Sequence, residues 1–390
     1  MGLAPVYAGA AHIVNGPERT LRIGIELISD PTWMGGVLYL QNLAICLSRL
    51  PANERPHVEL LGAPDVVGKF LAENHLADAW GRKKGLLKRI ARKIGLKIAQ
   101  APIDIVYPGF GREVEGAVTL RWIPDFQHRY LPHLFSADEI AARDRSIAEL
   151  AAKPGVIVLS SEIAAADFRS FYPGQPATPR VWHFCSLLQT RGAADDSIVL
   201  KFGLPSKFLY LPNQFWAHKN HIAVLKALTI LKQDYGLTIP LVCTGAQSDR
   251  RNESHFAGLL AFIEEKGLQD QVKLLGLIDR VTQVEIFRRA AAIVQPSLFE
   301  GWSTVVEDTR AIGRPIFLSD LPVHREQDPA RCIYFDPHEP SDLAAKLAVA
   351  WAGLASGPDR VSEQKALHEM EGRILDAGRV FLDIARQAMR

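Results

Sequence analysis

The sequence predicts an α/β protein built of two doubly wound domains that face one another across a cleft. Three observations carry this expectation. The chain has 390 residues, too many for one ordinary core and natural for about two domains. Short β-branched runs alternate with amphipathic helical stretches, the pattern of parallel strands joined by crossover helices. That pattern restarts near residue 207.

The elements follow in order. The opening stretch, MGLAPVYAGAAHIVNGPERT, has no charged start followed by a sustained apolar core, so it reads as a loose leader rather than a signal peptide. Leu21–Leu27 is the first strand, and Gly35-Gly36 precede a helix over Val37–Leu50. Strands follow at His57–Leu61, Ile103–Tyr107, Ala117–Ile123 and Val156–Leu159. In the second half Lys207–Leu211 is a strand. His221–Gln233 is a helix with Ile222, Leu225, Leu228 and Leu231 on one face. Further strands are expected at Pro240–Thr244, Val272–Leu275, Ala292–Val294 and Pro315–Ser319, with a helix near Thr282–Ala290. Gln189–Ser197, with its Gly and Asp, is the expected linker. The domains are therefore expected at 1–195 and 196–370. Residues 371–390 end a last helix, Ser362 to Met389, that packs back on the first domain.

Composition narrows the function classes. Apolar residues make up 48% and charged residues 23%, which is soluble and globular. A net charge of +2 makes no demand for a nucleic-acid partner. Cys46, Cys185, Cys243 and Cys332 lack CxxC spacing and read as reduced core thiols of a cytoplasmic protein. No apolar run reaches the roughly 20 residues needed to span a bilayer, so membrane contact is expected only at the surface. Arg82–Lys97 holds eight basic and no acidic residues, with Leu87, Ile90 and Ile94 at helical spacing. Such a basic amphipathic helix suits anionic headgroups or a charged acceptor. It equally suits a solvated helix packed on its sheet. Nucleic acid finds no aromatic or motif context there.

The chemistry concentrates in Pro296–Pro315, PSLFEGWSTVVEDTRAIGRP. A strand ends before Pro296, Ser297–Ser303 is a loop, and Val305–Ile312 is a helix stopped by Gly313 and Pro315. A loop feeding a helix N-terminus binds phosphate through unpaired N–H groups. Gly301 allows close backbone approach, and Ser303 and Thr304 are good caps that also donate to phosphate. Three acids lie here. Glu307 shares a face with Arg310 and Arg314, an expected solvated ion-pair face. Asp308 shares a face with Val305 and Ile312, turned towards the protein, and needs partners: ligand hydroxyls, local backbone or an arginine.

This segment resembles the E-x7-E signature of retaining glycosyltransferases of family 4, which have the GT-B fold of two Rossmann-like domains. Glu300 matches the first glutamate and Asp308 the second, where the family usually has Glu; Gly313-Arg314-Pro315 fits the continuation. The resemblance implies that Glu300 contacts the donor sugar and Asp308 the ribose. It implies that the amides of Gly301, Trp302, Ser303 and Thr304 hold the diphosphate and sugar. Lys219 matches the family's diphosphate-binding lysine, and Asn213 stands where relatives carry an arginine, with Gln214 or His218 as substitutes. Gly245 and Gly276 resemble glycines near the donor and base, and Gly35-Gly36 a pair facing the donor phosphates. Asp125 matches the acid of a His-Asp pair whose histidine approaches the sugar; Pro124 takes the histidine position, and His128 is the nearest replacement.

The resemblance thus implies transfer of a hexose from a nucleoside-diphosphate sugar, with retention, to a glycan, lipid-linked or other hydroxyl acceptor. The nucleotide sugar is a co-substrate and no cofactor is expected. No D-x-D stands at a convincing strand end, so no catalytic metal is expected either; nor is there a GxGxxG for a dinucleotide. The alternatives are a GT-B sugar-nucleotide epimerase or phosphorylase, and a non-catalytic nucleotide- or sugar-binding module.

Overall fold

The computed structural model describes residues 20–30, 33–73, 102–110, 114–188 and 196–390. Residues 1–19 of the leader, the basic Arg82–Lys97 stretch and residues 189–195 of the expected linker lie outside the described residues. The first half runs β1 (Arg22–Glu26), α1 (Met34–Arg49), β2 (His57–Leu61), α2 (Pro64–Glu73), β3 (Ile105–Tyr107), β4 (Val118–Thr119), β5 (Arg121–Ile123) and α3 (Gln127–Tyr130). It continues with α4 (Ala137–Ala151), β6 (Gly155–Leu159), α5 (Glu162–Phe171) and β7 (Ala177–Val181). The second half runs α6 (Ser197–Phe202), β8 (Leu209–Leu211), α7 (His221–Asp234), β9 (Leu241–Cys243), α8 (His255–Glu265), β10 (Val272–Leu274) and α9 (Arg280–Arg289). Then come β11 (Ala292–Gln295), α10 (Thr304–Ile312), β12 (Ile316–Ser319), α11 (Pro322–Gln327), β13 (Cys332–Phe335), α12 (Pro340–Ala350) and α13 (Arg360–Ala388).

The strand pairings are parallel. The second half forms one sheet in the order β10-β9-β8-β11-β12-β13. Counted from β8 this is 3-2-1-4-5-6, the doubly wound order whose ligand crevice opens where the winding reverses. That point lies at the carboxyl ends of β8 and β11. The first half forms β2-β1-β3-β4 and β5-β6-β7. The run expected as one strand at Ala117–Ile123 divides at Leu120: β4 pairs with β3, and β5 pairs with β6. Two edge strands, β7 and β13, were not expected. Pro179 sits in β7, where an edge tolerates the missing donor.

The helix expected to begin at Val37 begins at Met34, so Gly35 and Gly36 lie in its first turn. Strands β3, β8 and β11 are buried along their whole length, as sheets covered on both faces require. Helix α13 serves both halves. Phe381, Leu382, Ile384 and Ala385 enter the first core, while Met370, Ile374 and Ala377 pack into the second. Burying each such Leu, Ile or Phe stabilises by roughly 1.5–3 kcal/mol. Trp182 Nε1 donates to the Ala377 carbonyl at 2.9 Å and locks the first half to the middle of this helix. Among the described residues, no helix is long and apolar enough to cross a membrane.

Candidate functional site

The winding reversal brings two loops together. After β8 the chain passes Asn213 and makes a short 3-10 turn at Ala217–Lys219 before α7. After β11 it passes Pro296 and enters α10 at Ser303. The loops are bonded directly: Leu298 N donates to the His218 carbonyl at 2.8 Å, and Asn220 Nδ2 donates to the Pro296 carbonyl at 3.1 Å.

Lys219 and Glu300 meet at the centre, Nζ to Oε1 at 2.7 Å. The same carboxylate oxygen accepts from Gln295 Nε2 and from Ser297 Oγ, each at 2.7 Å. Burial pushes the Glu300 carboxyl up. The charges of Lys219 and His324, with the hydrogen bonds from Lys219 and Ser297, outweigh this and hold it below the ordinary glutamate range. Ser303 caps α10, its side chain accepting from Val306 N, as expected for a polar residue at that position. Gln327 Oε1 accepts from Ser303 N at 3.1 Å.

Asp308 is 2% exposed and lies in a two-pronged pair with Arg280, at 2.6 and 2.7 Å. Of the partners open to it, the arginine is the one found. Arg280 opens α9, 28 positions earlier, and sequence reasoning did not single it out.

Glu307 requires a correction. It was expected on a solvated face with Arg310 and Arg314, yet it is 0% exposed. Its carboxylate meets Arg373 Nη2 of α13 at 2.9 Å and Gln327 Nε2 of α11 at 3.2 Å, with Arg310 at 3.8 Å. Arg314 turns away to the carbonyls of Ala290 and Ala355. Helix α13, which covers this face, is what the local pattern could not reveal.

The remaining expected residues divide into two groups. Asn213 is buried and donates from Nδ2 to Gln295 Oε1 at 2.7 Å, and Gln214 Oε1 accepts from Ala246 N at 2.6 Å. Gly245 lies at a φ of +138°, and a Cβ there would fall 2.2 Å from the Asn213 carbonyl oxygen, so this glycine serves the crossing of two turns. Gly276 accepts from Gly245 N at 2.9 Å. His128 is drawn away from the cluster: its ring is 1% exposed, and Nε2 lies 3.0 Å from Asp144 Oδ1 inside the first half. The short helix α3 turns it inwards, which a count of residues past the strand could not show.

The two halves touch around the site. A Cβ on Gly301 would lie 2.5 Å from the Pro124 carbonyl oxygen and 3.0 Å from Asp125 Cβ. The approach expected of a ligand at Gly301 is thus made by the first-half loop. A Cβ on Gly35 would lie 4.0 Å from Thr304 Oγ1. Trp302 Nε1 donates to the Phe184 carbonyl at 3.0 Å, and its ring stacks on His183 at 4.3 Å. The carboxylate of Glu326 in α11 accepts from Glu162 N at 2.7 Å and Ile163 N at 3.1 Å, at the amino end of α5. His183 Nε2 joins it at 2.7 Å. Tyr130 and Phe299 meet ring to ring at 5.3 Å, and Arg251 reaches Gln127 at 3.2 Å.

Two Rossmann-like domains closing on a shared cleft define the GT-B class. Residues 196–351, the second domain, match the family described as glycosyl transferases group 1. Among solved structures, the chain is similar to HepE of Anabaena in complex with UDP, with a TM-score of 0.61 at 13% identity, over 94% of this chain and 99% of that one. Sucrose-phosphate synthase of Thermosynechococcus elongatus gives 0.60 at 14% identity, over 94% and 97%. A glycosyltransferase of Rickettsia africae gives 0.58 at 12%, over 95% and 99%. No curated protein sequence matches the chain.

Proposed function

We propose that this protein is a retaining glycosyltransferase that moves a hexose from a nucleoside-diphosphate sugar to a hydroxyl of a glycan or lipid-linked acceptor. The observation that supports it most is the Lys219–Glu300 pair at the winding reversal, beside the amino end of α10. The chemistry must stabilise a departing diphosphate. Lys219 and the amides of Gly301, Trp302 and Thr304 supply preorganised positive groups for that charge, the Ser303 amide being held by Gln327. Glu300 orients the sugar. The Arg280–Asp308 pair takes the ribose, its carboxylate accepting and its guanidinium donating. In a same-face reaction the acceptor oxygen bonds to the anomeric carbon as the bond to the diphosphate breaks. The departing phosphate oxygen takes the acceptor's proton, so no separate base is needed. Asp125, Gly35 and Gly36 form the opposing wall from the first domain. No metal enters this scheme.

UDP-glucose is the first donor to try, since HepE is also known as a complex with UDP-glucose. The deciding experiment follows nucleoside diphosphate release from UDP-, GDP- and ADP-sugars with and without acceptor glycans, preceded by thermal-shift measurements with the free nucleotides. Acceptor-dependent release supports a transferase. Product formation without any acceptor points to an epimerase. Absence of stabilisation by every nucleotide overturns the reading.

A further inference from the structure

The Glu300 carboxylate is used unevenly. Oε1 accepts from Lys219 Nζ, Gln295 Nε2 and Ser297 Oγ, all at 2.7 Å, whereas Oε2 accepts from none of the described residues. Three donors on one oxygen exceed its two in-plane lone pairs, so this side of the carboxylate is saturated. The other oxygen is the one available to a ligand hydroxyl.

What sets this orientation lies one step back. Gln295 is 0% exposed at the end of β11, a position where an apolar residue would continue the strand. An amide there has two possible orientations, and only one places NH2 on Glu300. Asn213, 4% exposed at the end of β8, selects it by donating from Nδ2 to Gln295 Oε1 at 2.7 Å. The opposite orientation would set two donors against each other and a carbonyl oxygen against the carboxylate. Ser297 Oγ and Ser303 Oγ, both 3.1 Å from Gln295 Nε2, hold the amide on the same side.

We infer that Asn213 and Gln295 are positioning residues, a buried amide relay that turns Glu300 so that Oε1 is held by the protein and Oε2 is presented to the donor sugar. This rests on reading Glu300 as the sugar-contacting acid. The relay also explains the neutral side chain at 213, which is spent inside the protein. The groups whose charge bears on Glu300 are Lys219, from the turn after β8, and His324, from α11. Burial holds the His324 ring down at about 4, so its charge bears on Glu300 only in the acid range where the carboxyl itself titrates, and near neutral pH Lys219 is the partner charge.

The test uses Gln295→Leu and Asn213→Ala in the full chain. Carbon-13 NMR of glutamate-labelled protein follows the Glu300 carboxyl, assigned by its loss in Glu300→Gln. Loss of the amide donor in Gln295→Leu is expected to move its titration upward, and release of the amide in Asn213→Ala to move it the same way by less. With UDP-glucose, GDP-mannose and ADP-glucose as probes, kcat is expected to fall about tenfold or more, as for a lost charge-assisted hydrogen bond, with KM changed less than about threefold. Asn213→Asp, which turns the Gln295 amide over, is expected to be worse than Asn213→Ala. An unchanged Glu300 titration in a folded Gln295→Leu protein overturns the inference. If that variant does not fold, Asn213→Ala decides by the same readouts. If no probe is bound or turned over, the donor reading fails while the titration still judges the relay.

Discussion

Lys219 and Glu300, 81 positions apart, form a direct ion pair of 2.7 Å between the loops that follow β8 and β11. Their side chains are 15% and 10% exposed, so the pair is shielded from solvent and fixed before any ligand arrives. An anion bound there has to share Lys219 with Glu300.

Removing either charge should therefore act on turnover first. Lys219→Ala and Glu300→Gln are each expected to lower nucleoside diphosphate release about 10²–10³-fold, the usual effect of losing one preorganised group at developing charge. Steady-state rates with the donor identified by the nucleotide panel check this. Activity retained within twofold in both variants would place the site elsewhere. Chelation by EDTA is expected to leave the wild-type rate unchanged.

Glu307 should behave in the opposite way. It is fully buried, ion-paired with Arg373 and hydrogen-bonded by Gln327, so Glu307→Ala strands a guanidinium and an amide. A loss of about 3 kcal/mol is expected, the lower end for breaking a buried pair because Arg373 is partly solvated. Denaturant unfolding measures the loss, and the surviving folded protein is expected to keep most of its kcat.

Gly301→Ala tests the contact between the domains. The added Cβ would meet backbone of Pro124 at 2.5 Å, which cannot swing aside as a side chain would. The cost is expected to be about 1–3 kcal/mol in strain or separation of the domains. A lower melting temperature with a larger radius of gyration in small-angle scattering is the expected signature.

The Glu326 contact predicts a pH dependence. Burial raises this carboxyl, but His183 and the N–H groups of Glu162 and Ile163 hold it below the ordinary glutamate range. A carboxyl depressed in the folded state contributes its full stability above the unfolded value of about 4.3 and loses it as pH falls through the folded value. Glu326→Gln is thus expected to lower the melting temperature at pH 7 and to match wild type once the pH is well below 4.3. Equal differences at both pH values would show that the contact does not depend on ionisation.

Much of this was legible in the sequence. Strand β2 and the start of α7 fall where expected, and Glu300, Lys219, Ser303 and Asp308 could be picked out because a strand end and a helix start are local patterns. The misses share a cause. Glu307 looked solvated because a helical face reports its own polarity and not which distant element covers it; here α13 does. Arg280 could not be paired with Asp308 from spacing alone. Strand β7, ATPRV, is an edge strand with few apolar residues, and β13, CIYF, is an edge strand of only four residues. His128 is the histidine nearest in sequence to Asp125, and α3 turns it inwards onto Asp144. Gln295 did leave a signal: a polar residue closing the otherwise apolar strand Ala292–Gln295.

Helix α13 has one more consequence. It is a single unbroken helix of 29 residues whose two ends belong to different cores, and a Cβ on Gly378 would lie 3.0 Å from the Cys46 carbonyl oxygen. The domains therefore share one continuous strut, and any movement of one against the other has to bend this helix or break its packing on one of the two cores.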